Sequence, residues 1–345
     1  MPSVIIIGGG ISGLSAAYFL EQQARERGLA LEITLLEAGQ RLGGVVQSER
    51  VELPDESGSG ASQSFLCECG PDSLLTTKPA AIELCRALGL GDQLIPSNDA
   101  LRRTFVLHHG ALRTLPDGLM FVVPSRIRPM FSSPLLSLAG KLRLLLAPLL
   151  APAPLADGAD ISVDEYISRR FGQQVSDRLA EPLLNAVYGS DVRQMSTRAV
   201  FPQLVAMEKK HGSLWKAFAK QLAAGKSAGG APAMPHATQH SPASVANGAT
   251  KAPSTVFVTL RDGLGQLPAR VAAALETTRV LLGEEVLGVR RDAATGGYRV
   301  LMNGAERVCD AVVMAAPSPI AARLLQPVDS EVSDLRSEEH TSELQ

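Results

Sequence analysis

The feature that most constrains the fold is a glycine-rich turn near the start of the chain. The apolar run Val4–Ile7 is followed at once by the hexapeptide Gly8-Gly9-Gly10-Ile11-Ser12-Gly13, and an amphipathic pattern extends from Leu14 to Arg27. An apolar run, a G-x-G-x-x-G turn and an amphipathic segment in this order predict a strand, a tight turn and a helix. Such a unit opens a parallel sheet of the Rossmann type.

The glycines of this turn have distinct expected roles. Gly8 permits the tight turn, Gly10 lets the main chain approach a diphosphate, and Gly13 allows the helix and the strand to pack closely. The helix N-terminus offers free N–H groups and the positive end of its dipole, which favour an anion without any Lys or Arg. We therefore expect all six residues from Gly8 to Gly13 to line a dinucleotide site.

A second predicted strand, Leu31–Leu36, ends at Glu37. A carboxylate at this position can accept hydrogen bonds from ribose hydroxyls, and it disfavours a 2′-phosphate. Taken alone, the glycine pattern also fits an incidental loop. The strand, the helix and the acidic residue in the right order favour dinucleotide binding instead.

The residues after Glu37 indicate which dinucleotide is bound. Arg41 can offer a fork of donors to phosphate, while Gly43 and Gly44 let the main chain pass close to a cofactor beside Val45. The alternative is a surface turn with a solvated arginine. The pattern E-A-x-x-R-x-G-G resembles that of the FAD oxidoreductases, a large group that includes amine oxidases, phytoene desaturases and protoporphyrinogen oxidases.

Further segments resemble the protoporphyrinogen oxidases within that group. Glu68–Ser73 is similar to their E-x-G-P-x-S segment, which runs beside the flavin, and the apolar Val45 and Val46 also fit this family better than the amine oxidases. The residues that the resemblance assigns to the cofactor here are Gly70, Pro71, Asp72 and Ser73.

Two longer runs carry the same resemblance. Residues from Glu181 to Leu214 are similar to part of the family's substrate domain, and Thr259–Pro268 is similar to its S-L-x-G-G-L-x-x-L-P run, with Asp262 where Gly is usual. The resemblance also implies that the main chain at Val286 meets the adenine; a plain core valine is compatible with that role.

The resemblance implies an activity. In such enzymes FAD takes hydride from a porphyrinogen and oxygen reoxidises the flavin, so the protein needs no nucleophile and we assign no catalytic residue. Arg103 is the candidate anchor for a substrate propionate, against the alternative of a solvated surface charge. The substrate expected is protoporphyrinogen IX or coproporphyrinogen III, in haem synthesis.

Two alternatives stay open. Another flavin oxidoreductase of this group, such as a desaturase acting on an isoprenoid, would share the same strand–turn–helix unit. Family members also continue well beyond this length, and the missing part normally seats the flavin ring. A catalytically silent FAD-binding fragment is therefore the second alternative.

The expected fold is α/β, with a Rossmann-like FAD-binding domain on a parallel sheet and an inserted helix-rich substrate domain. The FAD-binding domain is discontinuous, comprising residues 1–77 and 256–326, and the helix-rich domain comprises residues 78–222. Residues 223–255 are dominated by small and polar residues and predict a disordered loop. Residues 335–345 lack apolar periodicity and are interpreted as a non-native tail.

Composition excludes several functions. Lys and Arg total 33 against 35 Asp and Glu, which leaves no basic excess for nucleic acid. The histidine pairs His108-His109 and His236 with His240 have no carboxylate at ligand spacing, so no metal site is expected.

The sequence also bears on the compartment. The four cysteines show neither C-x-x-C spacing nor the density of a disulfide scaffold, and the N-terminus has no basic region of a secretory signal, so we expect a cytoplasmic protein. The apolar stretch Leu135–Leu155 is interrupted by charges and prolines, which argues against a spanning helix. A peripheral contact with membrane lipid stays open.

Overall fold

The apolar run near the N-terminus forms a strand with a parallel neighbour on either side. In the computed structural model, β1 (Ser3–Ile7) leads through the glycine turn into α1 (Ile11–Glu26), and β2 (Glu32–Glu37) returns beside β1. Ile6 and Leu14 have no exposed surface and share one core. The faces that α1 and β1 bury are therefore the ones that the sequence pattern marks as apolar.

The structure describes residues 1–54, 62–76, 78–98, 103–116, 119–120, 123–124, 128–223, 255 and 257–337. Contacts divide the chain into two units. The first contains residues 1–97 and 257–344; the second contains residues 98–256.

The first unit continues with a hairpin and a short helix. Its next elements are β3 (Ser48–Leu53), β4 (Gln63–Glu68), β5 (Leu74–Leu75), α2 (Pro79–Ala87) and β6 (Leu94–Pro96). β3 and β4 pair antiparallel with Ser48 opposite Glu68. Residues 55–61, which connect the two strands, lie outside the described residues.

The second unit is rich in helices. Its elements are β7 (Phe105–His108), β8 (Ala111–Thr114), β9 (Leu119–Met120), β10 (Val123–Pro124), α3 (Arg128–Ser132), α4 (Leu138–Leu145), α5 (Val163–Phe171), α6 (Gln173–Val175), α7 (Glu181–Tyr188), α8 (Thr197–Val200), α9 (Pro202–His211) and α10 (Leu214–Ala223). A π-helical turn, Ser176–Ala180, joins α6 to α7. Tyr166, Phe171 and Leu179 are fully buried in its core.

The chain then returns to the first unit. Its last elements are β11 (Phe257–Leu260), α11 (Gln266–Ala273), β12 (Arg279–Leu282), β13 (Val286–Arg291), β14 (Tyr298–Met302), β15 (Ala305–Cys309), β16 (Ala311–Met314), α12 (Ser318–Leu325) and α13 (Ser330–Ser337). The parallel sheet has the order β12-β2-β1-β16, and β13, β14 and β15 form an antiparallel meander.

The predicted fold class is confirmed: the protein is α/β, with a parallel sheet and a helix-rich insertion. The structure differs in detail from the sequence-based boundaries. Residues 78–97, which the sequence groups with the helix-rich middle, belong to the first unit because β6 hydrogen-bonds to β11. Of the proposed non-native tail, residues 335–337 continue α13, and residues 338–345 lie outside the described residues, as do residues 224–254 of the low-complexity segment.

Candidate dinucleotide site

Two glycines of the first turn are required by close packing. Gly8 has a φ of +109° and donates its N–H to the carbonyl of Leu36 over 2.8 Å. A Cβ at Gly8 would lie 2.6 Å from the carbonyl oxygen of Ala315, and one at Gly13 would lie 1.9 Å from the carbonyl oxygen of Gly8. These glycines therefore let α1 pack closely against the carboxyl ends of β1 and β16.

Gly10 has a different environment. A Cβ built there meets, among the described atoms, only the Cα of Gly44 within 4 Å, at a distance of 3.9 Å. Gly43 donates its N–H to the carbonyl of Gly9 over 2.9 Å and pairs with Gly10 in a parallel bridge. The two glycine loops thus form a cradle that a side chain at Gly10 would fill, which is the arrangement a diphosphate needs for close approach.

The N-terminus of α1 faces this cradle without a cap of its own. Its N-cap residue is Gly10, which has no side chain to accept a hydrogen bond, and its first turn contains no acidic residue. The first N–H groups of a helix lack intrahelical acceptors and carry the positive end of the dipole. The donor set therefore suits the diphosphate of a dinucleotide.

The Glu37 carboxylate lies on the glycine turn. Its Oε2 accepts the N–H of Gly9 over 2.6 Å, and its Oε1 accepts the N–H of Gly39 over 2.7 Å. A carboxylate has about four lone-pair sites, so acceptor capacity is left for ribose hydroxyls. The two main-chain donors fix the orientation of the side chain at the end of β2.

Arg41 makes its contacts within its own loop. Its guanidinium donates to the carbonyl of Gly44 over 2.7 Å and to that of Leu42 over 3.4 Å. Guanidinium has five N–H donors, so the exposed side chain keeps donors for a phosphate while it holds the Gly43–Gly44 loop. Val45, which follows that loop, is largely exposed.

The segment Gly70–Ser73 lies against the same loop. A Cβ at Gly70 would lie 2.0 Å from the carbonyl oxygen of Val45, so only glycine permits this approach. Ser73 donates its hydroxyl to Asp72 over 2.8 Å, and Pro71 and Asp72 are exposed. The structure therefore brings this segment to Val45.

Val286 is the first residue of β13. Glu284 donates its main-chain N–H to the carbonyl of Glu37 over 2.9 Å, which brings the start of β13 to the end of β2. A cleft of about 130 Å³ is lined by Gly8, Glu37 and Val286 among others. Val286 is itself buried.

Arg103 is the remaining predicted site residue. It belongs to the second unit, is exposed, and precedes β7. Residues 99–102, which precede it in the sequence, lie outside the described residues. No group of three His, Cys, Asp or Glu residues in the described part of the chain could hold a metal ion.

Sequence reasoning missed a buried ion pair in the second unit. Arg170 donates from Nε and Nη2 to both oxygens of Glu208, over 2.7 and 2.6 Å, and Tyr166 donates its hydroxyl to Glu208 over 3.0 Å. All three side chains are buried, and the guanidinium lies over the Tyr166 ring. The available signal was the spacing of Tyr166 and Arg170, which are four residues apart and therefore share a helix face.

A second missed group lies in the first unit and joins distant segments. Ser48 and Glu68, which face each other across the β3–β4 hairpin, accept N–H groups from the turn before α11. The sequence resemblance included Glu68 in a motif without giving it a partner.

Known proteins similar to this chain support a common family. The chain is 32% identical over 339 residues to a coproporphyrinogen III oxidase of Bacillus subtilis and 29% identical over 338 residues to the chloroplast protoporphyrinogen oxidase 1 of Arabidopsis thaliana. These matches cover 98% and 96% of this chain but only 64% and 56% of the relatives. The chain thus spans less than two thirds of their length.

A solved structure agrees with the fold. A protein from Exiguobacterium sp. 255-15, assigned as a protoporphyrinogen oxidase, superposes with a TM-score of 0.72 at 29% identity, covering 96% of this chain and 63% of its own. The family of flavin containing amine oxidoreductases matches residues 11–343. Because that match includes nearly the whole chain, the chain belongs to the flavin containing amine oxidoreductase family.

Proposed function

We propose that this chain supplies the FAD-binding part of an oxidoreductase that converts a porphyrinogen, coproporphyrinogen III or protoporphyrinogen IX, to the porphyrin in haem synthesis, with oxygen as the acceptor. The names of the similar proteins support the substrate class. One observation carries the cofactor part: the Glu37 carboxylate and the uncapped N-terminus of α1 meet at the same glycine turn.

FAD is the cofactor that the family implies, and it would supply the two-electron chemistry when bound. The residues of this chain bind and orient it. The N–H groups of residues 10–13 would hold the diphosphate, Glu37 would accept the ribose hydroxyls, and the Gly43–Gly44 loop would let the main chain pass beside the cofactor. The segment Gly70–Ser73 extends this surface beyond Val45.

The experiment is a purification followed by an assay against both substrates. A yellow protein that turns each colourless porphyrinogen into fluorescent porphyrin, and that stops when oxygen is removed, supports the proposal. The ratio of the two rates identifies the preferred substrate. A protein that binds FAD and oxidises neither porphyrinogen supports the alternative of an inactive FAD-binding fragment or of another oxidase, and rejects this substrate.

Arg103 is the proposed anchor for a substrate propionate, because a guanidinium pairs with a carboxylate through two hydrogen bonds. Arg103→Gln should raise KM for the porphyrinogen and leave FAD affinity unchanged. Arg113→Gln, at an exposed position of β8 in the same unit, is the matched control. Equal KM values in the two variants would reject this role.

We also propose a peripheral lipid contact. No helix in the described part of the chain is long and apolar enough to cross a bilayer. However, the leucines on one side of α4 and of the turn after it are exposed, to 85% at Leu138 and 83% at Leu149. These leucines are Leu138, Leu142, Leu145, Leu146, Leu149 and Leu150. Their spacing gives one apolar face, and Lys141 lies on the same helix and suits anionic lipid.

Sedimentation with vesicles containing phosphatidylglycerol tests this contact. Leu138→Ser with Leu149→Ser should abolish binding. Leu107→Ser with Leu112→Ser, an exposed cross-strand pair of β7 and β8, should not. Binding that is lost equally in both variants, or absent in the wild type, rejects the contact.

The proposal places the protein in the cytoplasm. All four of its cysteines are free, as a reducing compartment maintains them.

A further inference from the structure

The turn that leads into α11 is held by side chains from the β3–β4 hairpin. The N-cap of α11 is Gly265, which has no side chain to cap the helix. Ser48 Oγ accepts the N–H of Gly265 over 2.8 Å, and Glu68 Oε1 accepts the N–H of Leu264 over 2.8 Å. Ser48 in turn donates its hydroxyl to Glu68 Oε2 over 2.5 Å. Two side chains of a distant hairpin therefore cap the turn that precedes α11, by accepting its main-chain N–H groups.

The turn before α11 needs a glycine where it approaches Ser48. A Cβ at Gly263, whose φ is +96°, would lie 2.4 Å from Ser48 Oγ. The carboxylate of Glu68 also faces the N-terminal end of α11, where a negative charge is favoured by the helix dipole. A glycine turn and a charged acceptor together fix α11 against the hairpin.

From this junction, contacts lead directly to the glycine turn of the dinucleotide site. The Pro268 ring of α11 lies 3.2 Å from the position of a Cβ at Gly43. Gly43 donates its N–H to the carbonyl of Gly9 over 2.9 Å. On the other side, β4 leads into Gly70, whose main chain lies against the carbonyl of Val45. The two loops that line the proposed cofactor site are thus the two extensions of the capped hairpin.

We propose that Ser48 and Glu68 are positioning residues for the cofactor: by capping the turn before α11 they hold the Gly43–Val45 loop and the Gly70–Ser73 segment at the spacing that FAD requires. This inference rests on the proposed function. Neither side chain needs to touch the cofactor, because their effect passes through Pro268 and Gly43. Removing the cap should therefore make the Gly43–Val45 loop more mobile even in the protein without FAD.

Amide hydrogen exchange of the protein without FAD tests the coupling independently of cofactor binding. In Ser48→Ala, exchange should become about fivefold faster in peptides that contain Leu264 and Gly265 and also in the peptide that contains Gly43. Ser48→Thr, which keeps the hydroxyl, should restore slow exchange. Faster exchange at Leu264 and Gly265 with no change at Gly43 would show that the cap has only a local structural role, and would overturn the proposal.

FAD titration followed by flavin fluorescence provides the second readout. Ser48→Ala and Glu68→Gln should each weaken FAD binding about fivefold. Arg50→Ala is the matched control, because it removes an exposed ion pair to Asp262 between the same hairpin and the same turn without touching the cap. It should bind FAD like the wild type.

The outcomes separate the two proposals. A wild-type protein that binds no FAD rejects the proposed function, while the exchange experiment still decides whether the cap controls Gly43. A wild type that binds FAD, with Ser48→Ala and Glu68→Gln binding it equally well, rejects the positioning role alone. Glu68→Gln keeps one acceptor for the Leu264 N–H, so a misfolded Ser48→Ala variant would not prevent the test.

Discussion

The main-chain N–H of Gly9 lies 2.6 Å from Oε2 of Glu37, so the end of the second strand is bonded to the turn after the first. The same carboxylate also accepts the N–H of Gly39, and Gly43 bonds to the carbonyl of Gly9. Glu37 therefore both orders the glycine turn and presents its remaining lone pairs beside it. The geometry of the proposed cofactor site therefore depends on this side chain.

Glu37→Gln should weaken FAD binding by about 10- to 100-fold, because hydrogen bonds to a charged acceptor contribute about 1.5–3 kcal/mol. An amide offers only one acceptor atom and cannot serve both Gly9 and Gly39. Fluorescence titration measures the change. Glu32→Gln, at the exposed start of the same strand, should bind FAD as the wild type does, and equal affinities in the two variants would remove Glu37 from the site.

The glycines at positions 10 and 13 should respond differently to the same substitution. Gly13→Ala places a Cβ 1.9 Å from a carbonyl oxygen and should cost about 3 kcal/mol or more in free energy of unfolding. Gly10→Ala meets only one described atom within 4 Å, so the protein should fold with a loss of about 1 kcal/mol or less while FAD affinity falls. Thermal unfolding without FAD and titration with FAD distinguish the two effects. A Gly10→Ala protein with wild-type affinity would contradict the role of the cradle.

The buried ion pair of the second unit should be a stability element. Glu208→Ala leaves the Arg170 guanidinium buried without its partner and should cost about 3–5 kcal/mol, measured by urea unfolding. Burial, with the Glu208 charge adding to it, raises the pKa of Tyr166, so its hydroxyl stays a donor over the ordinary pH range. Arg169→Ala, which breaks an exposed pair with Glu165 on the same helix, should cost about 1 kcal/mol or less. Comparable losses in the two variants would contradict this account.

Glu21 should contribute to the acid sensitivity of the first unit. Burial alone would raise the pKa of Glu21, but hydrogen bonds from the main chain of Glu276, Thr277 and Thr278 lower it below the ordinary value of 4.5. A lowered pKa in the folded state gives stability that is complete above 4.5 and is lost as pH falls through the folded value.

Unfolding free energies between pH 7 and pH 3 measure this effect. Glu21→Gln should be less stable than the wild type at pH 7 and should show a flatter decline at low pH. Glu26→Gln, on the exposed side of the same helix, should follow the wild-type curve. A Glu21→Gln curve parallel to that of the wild type would show that this carboxylate is not the source of the decline.

Local patterns predicted the first part of the fold well. The second strand, expected at Leu31–Leu36, is found at Glu32–Glu37, and the first helix, expected at Leu14–Arg27, is found at Ile11–Glu26. Each of these elements is specified by residues close together in the sequence, through the spacing of apolar residues and the positions of the glycines. The turn and its acidic partner, Glu37, lie within one such unit, so their proximity was also predictable.

Long-range polar contacts were not predictable in the same way. Glu68 meets Leu264 across nearly two hundred residues, and no periodicity marks either position. Arg170 was not singled out because charged residues are usually exposed, and only its partner Glu208 makes its burial stable. Boundaries such as the one after Ser97 depend on the pairing of β6 with β11, which pattern alone does not specify.

The central claim is that the glycine turn and Glu37 bind FAD. Titration of FAD into the folded protein, in the wild type and in Gly10→Ala, tests it most directly. The account predicts saturable binding of one FAD per chain by the wild type and strongly reduced binding by the variant, with both proteins folded. Absence of saturable binding by the wild type, or equal binding by both proteins, would contradict it.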